Sequence, residues 1–294
     1  MNINGGGKLI PQGLLNLVNA AILGFILLAF GVVGYGFLVE PGWVKVENVR
    51  LKLSRLARVF SGLRIAQISD IHMGGWMNSR RFQHVAELIL AQKPDLLLIT
   101  GDFLYGHSFT DASRDSIQDV IKVLAPLAKS IPSFAVLGNH DYWTNSEAIR
   151  EMLSICGVMD LTNTVHTLTR GCDNLHLCGV DDVWAGDVRL DEVVAQLIDN
   201  STAILLAHEP DFADWSAATH KFDLQISGHT HGGQVGIPFF GAPVLPYLGR
   251  KYPRGLYKVG KMFQYTNRGV GMHGLAIRLN CPPEITLFTL EGDV

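Results

Sequence analysis

The chain has few charged residues and no excess of positive charge. Charged side chains occupy 17% of its 294 positions, against roughly 25% in a typical soluble domain. Part of the chain is therefore expected to face something other than water. The 24 lysines and arginines nearly balance the 27 aspartates and glutamates. We expect no nucleic-acid partner, because there is no general basic field to attract phosphates.

Cysteine is scarce, and two common catalytic motifs do not occur. The four cysteines show no CxxC spacing, which argues against a cysteine zinc site or a disulfide scaffold. Cys172 and Cys178 could pair across a hairpin, but we expect buried free thiols. The sequence also has neither a GxSxG elbow nor a P-loop, so serine-nucleophile and P-loop nucleotide chemistry are not indicated.

One apolar segment accounts for part of the low charge. Residues 14–38 contain no charged side chain. As a helix they would be about 37 Å long, enough to cross a hydrocarbon core of roughly 30 Å. We predict a transmembrane anchor over 14–38, preceded by a tail over 1–13. A cleaved signal peptide would have a shorter apolar stretch and a more basic start than the lone Lys8.

The charges around the anchor predict its orientation. Five basic residues lie within residues 39–58, whereas Lys8 is alone on the other side. The positive-inside rule then places the large carboxy-terminal part in the cytoplasm, on a single-pass anchor.

After the anchor, the pattern is typical of an α/β fold. Residues 39–62 read as a juxtamembrane linker with edge-strand character, and from residue 63 onwards short apolar runs alternate with amphipathic helical patterns. A second sheet is expected beyond about Asn163, where helical patterns become rarer. We interpret residues 63–294 as one domain. The stretch 237–255 contains four prolines and is expected to be a long functional loop.

Five of the apolar runs end in aspartate, asparagine or histidine. In open α/β sheets such ends meet at one crevice, so these side chains are expected to converge. Carboxylate oxygens and neutral imidazoles suit divalent transition ions, and seven ligands suffice for two ions that share a carboxylate. The alternative is a set of polar strand-end caps. The seven candidate metal ligands are Asp70, His72, Asp102, Asn139, His208, His229 and His231.

The spacing within two motifs predicts how their side chains point towards the ions. Residues at i and i+2 of an extended segment point the same way. Asp70 with His72, and His229 with His231, are therefore expected to lie in extended backbone.

The ligand motifs along the chain are DxH, GD, GNHD, a lone histidine and GHxH. In this order they resemble the motifs of the calcineurin-like metallophosphoesterase superfamily. The resemblance covers about residues 64–290. The extension GHTHGGQ at 228–234 and the segments after Asn267 look like its bacterial membrane-associated branch, which contains generic phosphodiesterases and a UDP-2,3-diacylglucosamine pyrophosphatase of lipid A synthesis. The resemblance implies a four-layer α/β/β/α sandwich behind one transmembrane helix in the bacterial inner membrane.

The resemblance also implies roles for individual residues. Asp102 would bridge the two ions, and Asn139 and His140 would serve catalysis, with His140 facing the leaving group. We expect Mn²⁺ in both sites, with Fe²⁺ or Zn²⁺ as alternatives. The first ion would be held by Asp70, His72, Asp102 and His231. The second would be held by Asp102, Asn139, His208 and His229.

The implied function is hydrolysis of a phosphodiester or pyrophosphate bond by metal-activated hydroxide. UDP-2,3-diacylglucosamine is the most specific candidate substrate, which would make the substrate lipid-linked. A generic phosphodiesterase is the alternative within the enzyme class. A non-catalytic metal-binding membrane scaffold is the alternative outside it, and the intact His140 argues against that reading. The oligomeric state is not predicted.

Several further residues carry weaker expectations. Arg250 and Arg254 either form a solvated basic cluster or bind a phosphate or an anionic headgroup, and His273 is a candidate for the cleft. Asp141 is expected to orient a neighbouring imidazole. Trp76 and Trp143 are candidates for the rim of the substrate site, with core or interface packing as the alternative. For the loop residues one interpretation is contact with the membrane surface or an acyl chain, and the other is ordinary packing over the second sheet. These loop residues are Phe239, Phe240, Leu245 and Tyr247.

Overall fold

The computed structural model describes residues 12–292. Of the predicted tail 1–13, residues 1–11, which include Lys8, lie outside the described residues. The chain forms seven α-helices in the described part, two of which are single short turns beside the second sheet. The helices are α1 (Gln12–Leu38), α2 (Ser79–Gln92), α3 (Asp111–Ser130), α4 (Asn139–Thr144), α5 (Ser146–Cys156), α6 (Leu190–Ala195) and α7 (Ala213–Ala218).

Helix α1 coincides with the predicted anchor. Nearly all its side chains are exposed, and among the described residues it is the one helix long and apolar enough to cross a membrane. Its last turn contacts the rest of the chain, since a Cβ at Gly36 would lie 3.2 Å from the carbonyl oxygen of Arg278. The helix is therefore a candidate membrane span that is seated on the domain at one end.

The first sheet has six strands in the order β1-β12-β2-β3-β4-β5. Strands β2 to β5 are parallel to one another, and β12 runs antiparallel to β2 and parallel to β1. The strands of this sheet are β1 (Lys45–Lys52), β2 (Arg64–Ile68), β3 (Leu96–Thr100), β4 (Ser133–Val136), β5 (Met159–Asp160) and β12 (Glu284–Glu291).

The second sheet also has six strands, in the order β10-β11-β9-β8-β7-β6. Its four central strands are parallel, and an antiparallel strand closes each edge. The strands of this sheet are β6 (Thr164–Arg170), β7 (Asp173–Gly179), β8 (Thr202–Leu206), β9 (Leu224–Ser227), β10 (Gly255–Val259) and β11 (Met262–Thr266).

Three apolar cores separate four layers. The first lies between α2, α3 and α5 and one face of the first sheet, where Phe82 and Leu124 are buried. The second lies between the two sheets, with Leu98 and Ile204 at its centre. The third lies between the second sheet and α6 and α7, and includes Phe212. Strands buried on both faces read as continuous apolar runs, and the α/β/β/α sandwich is confirmed.

The segment after α1, which was expected to be a linker, forms part of the first sheet. Strand β1 pairs with β12 over its whole length, from Lys45 opposite Glu284 to Lys52 opposite Glu291. It is the edge strand of that sheet.

The cysteines differ in their surroundings. All four are free thiols, and Cys178 is buried as expected. Cys172 is exposed in the turn between β6 and β7, so the expectation of a buried thiol is wrong there.

Candidate metal centre

The seven candidate ligands lie at the carboxyl ends of strands from both sheets, and all are buried. The loops after β2, β3 and β4 carry those of the first sheet, and the loops after β8 and β9 carry those of the second. The sheets meet directly at this point, because the carbonyl oxygen of Thr100, at the end of β3, accepts a hydrogen bond from His208. Parallel strands thus bring residues separated by up to about 160 positions to one edge, as expected for such sheets.

Four side chains converge in one half of the site. The Nε2 atoms of His72 and His231 lie 3.1 Å apart. His231 Nε2 lies 3.5 Å from Asp70 Oδ1, and His72 Nε2 lies 3.5 Å from Asp102 Oδ2. Two imidazole nitrogens and two carboxylates that face one another form a set that a divalent cation satisfies.

The other half is built around the same aspartate. His208 Nε2 lies 3.3 Å from Asp102 Oδ2, while its Nδ1 donates to the carbonyl of Thr100 at 2.6 Å, so Nε2 is the nitrogen that faces the site. His229 donates from Nε2 to the carbonyl of Tyr247 at 2.7 Å, which leaves Nδ1. The Oδ1 of Asn139 is buried without a hydrogen-bond partner, and such an orphaned acceptor fits a metal ligand.

Burial sets the charges of the site. Burial lowers the pKa of His72 to about 3, and it also lowers the pKa of His229 and of His231. These imidazoles are therefore neutral, the form that binds metals. Burial raises the pKa of Asp70 to about 7, so this carboxyl group needs a nearby cation to be fully ionised at neutral pH. Burial also opposes ionisation of Asp102, but His208 outweighs it and holds the pKa of Asp102 well below its usual range.

The backbone at five of the seven ligands is left-handed. Asp70 (φ 53°), His72 (47°), Asp102 (58°), His229 (72°) and His231 (51°) all have positive φ, a conformation that non-glycine residues seldom adopt. Such positions cluster at functional sites, where the surrounding structure holds the strain. The expected extended geometry is therefore wrong: tight turns, and not a strand-like alternation, direct both pairs of side chains to the site.

Two glycines allow the close approach of these turns. A Cβ at Gly138 would lie 2.3 Å from Asp102 Oδ1, and a Cβ at Gly228 would lie 1.8 Å from Ser69 Oγ. Both distances are shorter than van der Waals contact, so any side chain at either position would displace the loops that carry the ligands.

Asp141 holds backbone instead of an imidazole. Its carboxylate accepts hydrogen bonds from the backbone N–H groups of Asp102, Phe103 and Gly138 at 2.8–3.0 Å. The expectation that it orients an imidazole is wrong. Burial, with the neighbouring Asp102, raises the pKa of Asp141 to about 7. Asp141 ties the loop after β3 to the loop after β4.

A cavity of about 490 Å³ opens over the ligands and contains three more imidazoles. The ring centroids of His140 and His273 lie 4.5 Å apart, and those of His140 and His107 lie 4.9 Å apart. His140 donates from Nδ1 to the carbonyl of Gly106 at 2.9 Å, so its Nε2 is available to a substrate. His273 thus reaches the cleft.

His107 lines the cavity but was not among the candidate residues named from the sequence. Its position five residues after Asp102, on the same loop, was the signal that could have placed it at the site. Trp184 also lines the cavity and was missed. It follows β7 in the same way, at the carboxyl edge of the second sheet, and its ring contacts that of Trp143 at 4.9 Å.

The other singled-out residues fall into two groups. Trp143 and Leu245 line the cavity. Arg250 and Arg254 do not. The backbone N–H of Arg250 donates to Asp211, and the guanidinium of Arg254 donates to the carbonyl of Asn280.

Trp76 lies away from the metal centre. It lines a second cavity beside α2, where the guanidinium of Arg81 stacks on its ring at 4.2 Å from the centroid.

Comparison with known proteins shows the family of the chain. The family described as "Calcineurin-like phosphoesterase" matches residues 63–233. The chain is 32% identical to "Uncharacterized metallophosphoesterase YkuE" of Bacillus subtilis (strain 168), over 90% of this chain and 92% of that protein. It is 33% identical to "Phosphodiesterase YaeI" of Escherichia coli (strain K12), over 87% and 92%. It is 28% identical to "Transmembrane protein with metallophosphoesterase domain" of Danio rerio, over 93% and 62%.

Proposed function

Because the chain belongs to the calcineurin-like phosphoesterase family, whose members are metal-dependent phosphoester hydrolases, we propose that it cleaves a membrane-associated phosphodiester or pyrophosphate with two bound divalent ions. One observation carries this proposal. Asp102 Oδ2 lies between His72 Nε2 and His208 Nε2, at 3.5 and 3.3 Å. A single carboxylate oxygen that faces both halves of the site is suited to bridge two ions.

The assignment of ligands follows the two halves. The first ion would be held by Asp70, His72, Asp102 and His231. The second would be held by Asp102, Asn139, His208 and His229. Imidazole, amide and carboxylate ligands without a thiolate suit Mn²⁺, Fe²⁺ or Zn²⁺, and Mn²⁺ is our first choice.

The ions, when bound, would lower the pKa of a water molecule and offset the negative charge of the phosphoryl oxygens. The chain supplies the rest. His140 offers Nε2 to the cavity and is fixed by its Nδ1 bond to Gly106, so it is placed to give a proton to the departing oxygen. The imidazoles of His107 and His273 both lie next to it, where they can hold a phosphoryl oxygen or return a proton.

The anchor supports a substrate at the membrane. Helix α1 has the length and composition of a membrane span, and we place it in a bacterial inner membrane with the catalytic domain on the cytoplasmic side. UDP-2,3-diacylglucosamine is our specific candidate, because its pyrophosphate lies next to a lipid. A soluble phosphodiester is the alternative substrate.

The full-length protein, purified in detergent with added Mn²⁺, Fe²⁺ or Zn²⁺, tests the reaction. We expect hydrolysis of bis-p-nitrophenyl phosphate that is lost on chelation and restored by the ion. Release of UMP from UDP-2,3-diacylglucosamine tests the lipid-linked substrate, beside a panel of soluble phosphodiesters. Metal binding without turnover of any phosphoester would instead favour the scaffold hypothesis.

A further inference from the structure

An exposed apolar surface borders the opening of the catalytic cavity. We call it the apolar rim and define it by Ile237, Phe239, Phe240, Val244 and Leu275. Phe239 is fully exposed, Phe240 is 87% exposed and Val244 is 74% exposed. Val244 and Leu275 also line the cavity. The rim is thus continuous with the wall of the active site.

The rim lies close to the end of the anchor. The carbonyl of Gly36, in the last turns of α1, accepts a hydrogen bond from the backbone N–H of Arg278 at 2.9 Å. The next residue, Leu279, exchanges backbone hydrogen bonds with Gln234 and Gly236 at 2.9 and 2.8 Å. The rim begins at the following position, Ile237.

A buried carboxylate forms a second connection between the end of the anchor and the base of the rim. Glu40, just after α1, is 3% exposed and accepts hydrogen bonds from the backbone N–H groups of Asn280 and Cys281. The side chain of Asn280 donates to the carbonyl of Gly236. The anchor's end and the base of the rim are therefore joined by backbone and by side-chain bonds, so the membrane position of one constrains that of the other.

The composition of the rim suits a bilayer surface. Two adjacent phenylalanines in full contact with water are costly, and contiguous exposed apolar surface marks an interaction site. Aromatic side chains are enriched where a membrane meets water, and the exposed Trp43 lies five residues after the end of α1. Arg254 lies against the base of the rim, with its guanidinium bonded to Asn280, and can attract anionic headgroups.

From these relationships we propose that the apolar rim is a membrane-docking surface. Phe239 and Phe240 enter the boundary between headgroups and acyl chains, about 5–10 Å deep as for other interfacial apolar elements. The cavity then opens towards the bilayer, and its substrate is a phosphoester or pyrophosphate presented by a membrane lipid. This inference rests on the membrane anchoring proposed above.

Fluorescence quenching in a bilayer tests the docking. The full chain is labelled with the environment-sensitive dye NBD at Phe239→Cys in a Cys172→Ser background, since the three other cysteines are buried. It is reconstituted in nanodiscs of phosphatidylcholine and phosphatidylglycerol, with or without lipids that carry a doxyl quencher near the headgroup end of the acyl chain. Because Phe239 is fully exposed, the substitution leaves the fold intact.

Ile198 provides the matched control. It is 92% exposed, but it precedes β8 and so lies at the amino end of the strands, opposite the cavity. We expect a blue shift and loss of emission for the label at position 239 and neither for the label at Ile198→Cys. Equal quenching at both positions, or quenching of neither, would overturn the proposal. So would a blue shift at position 239 that persists without lipid and grows with protein concentration, because that would show contact with a second copy.

Hydrolysis of bis-p-nitrophenyl phosphate by the same samples separates the two proposals. Turnover with an unquenched label at position 239 would contradict the proposed docking surface and support the proposed enzyme function. A quenched label without turnover would contradict the proposed function and support the docking surface. We expect both quenching and turnover.

Discussion

The Nε2 atoms of His72 and His231 lie 3.1 Å apart although 159 positions separate the two residues in the chain. His72 follows a strand of the first sheet and His231 follows a strand of the second. Both imidazoles are neutral, because burial lowers the pKa of each. Two nitrogens that face each other at this distance share either a proton or a cation, so the pair is suited to hold an ion.

Removal of the bridging carboxylate should empty the whole site. In Asp102→Ala, His72 and His208 both lose the oxygen that faces them, and we expect loss of both ions and of turnover. Metal content by mass spectrometry, beside hydrolysis of bis-p-nitrophenyl phosphate, measures this. Asp173→Ala, at an exposed aspartate at the start of β7, is the control. Retention of both ions by Asp102→Ala would show that Asp102 does not bridge.

Removal of His140 should separate metal binding from catalysis. Its side chain faces the cavity, while its backbone N–H donates to Asp102 at 2.9 Å, a bond that a side-chain substitution leaves in place. We expect His140→Ala to keep its ions and to lose about 10²–10⁴-fold in kcat, the range for a general acid. Substrates with poorer leaving groups should lose more. If the ions are lost instead, His140 is a ligand.

The neighbours of His140 should have smaller effects of the same kind. We expect His273→Ala to lower kcat less than His140→Ala does and to leave the metal content unchanged. Because the two rings are in contact at 4.5 Å between centroids, the effects of the two substitutions should be non-additive. Kinetics of the double variant measure this coupling. Additive losses would mean that His273 acts independently, on another part of the substrate.

Asp141 should contribute to the stability of the fold. Asp141→Ala leaves three buried backbone N–H groups without their acceptor, and each such group costs about 1–3 kcal/mol. We expect a lower urea midpoint for the metal-free protein, together with weaker metal binding. Asp115→Ala, at an exposed position of α3, should stay within about 0.5 kcal/mol of the parent. Equal midpoints for the two variants would contradict the role given to Asp141.

A carboxylate far from the metal centre should make stability depend on pH. Hydrogen bonds from His176, Asn174 and Ser201 lower the pKa of Asp199 below its usual 3.8. The folded state therefore binds this proton less readily than the unfolded state does. The stabilisation is present above pH 3.8 and is lost as the pH falls below that value towards the folded pKa.

The variant Asp199→Asn isolates this contribution. We expect its urea midpoint to be lower than that of the parent at pH 7 and the difference to shrink below pH 3.8. The effect should be small, because the side chain is 35% exposed and solvent screens its interactions. A difference that is constant from pH 7 to pH 3 would mean that the charge of Asp199 contributes nothing. Asp115→Asn, at the exposed position of α3, controls for the loss of a carboxylate.

The strands and most helices were predictable from local pattern. The apolar runs 96–100 and 203–207 are buried on both faces. Strands buried in this way have continuous apolar sequences, which can be recognised without knowledge of the fold. The helix over 146–156 begins at an asparagine cap and ends at a left-handed glycine, both of which are local signals. The apolar helix α1 was predictable for a similar reason, since the length of an uncharged apolar run is a property of the sequence.

Other features depended on contacts that no local pattern reveals. Asp141 lies in a motif of ligands, yet its partners are backbone groups of loops that only the packed sheet brings together. His107 and Trp184 belong to none of the ligand motifs, and both reach the cavity because their loops leave the carboxyl edges of their sheets.

The sequence by itself determined the fold class, the long apolar helix and the set of residue types that can bind a pair of divalent ions, because these depend on composition and on order along the chain. Only the tertiary structure decided which nitrogen of His140, His208 and His229 faces the site, that left-handed turns direct most of the ligands, and that an apolar rim lies beside the end of α1. These depend on how two sheets and the loops between them pack, and the distances involved join residues that are remote in sequence.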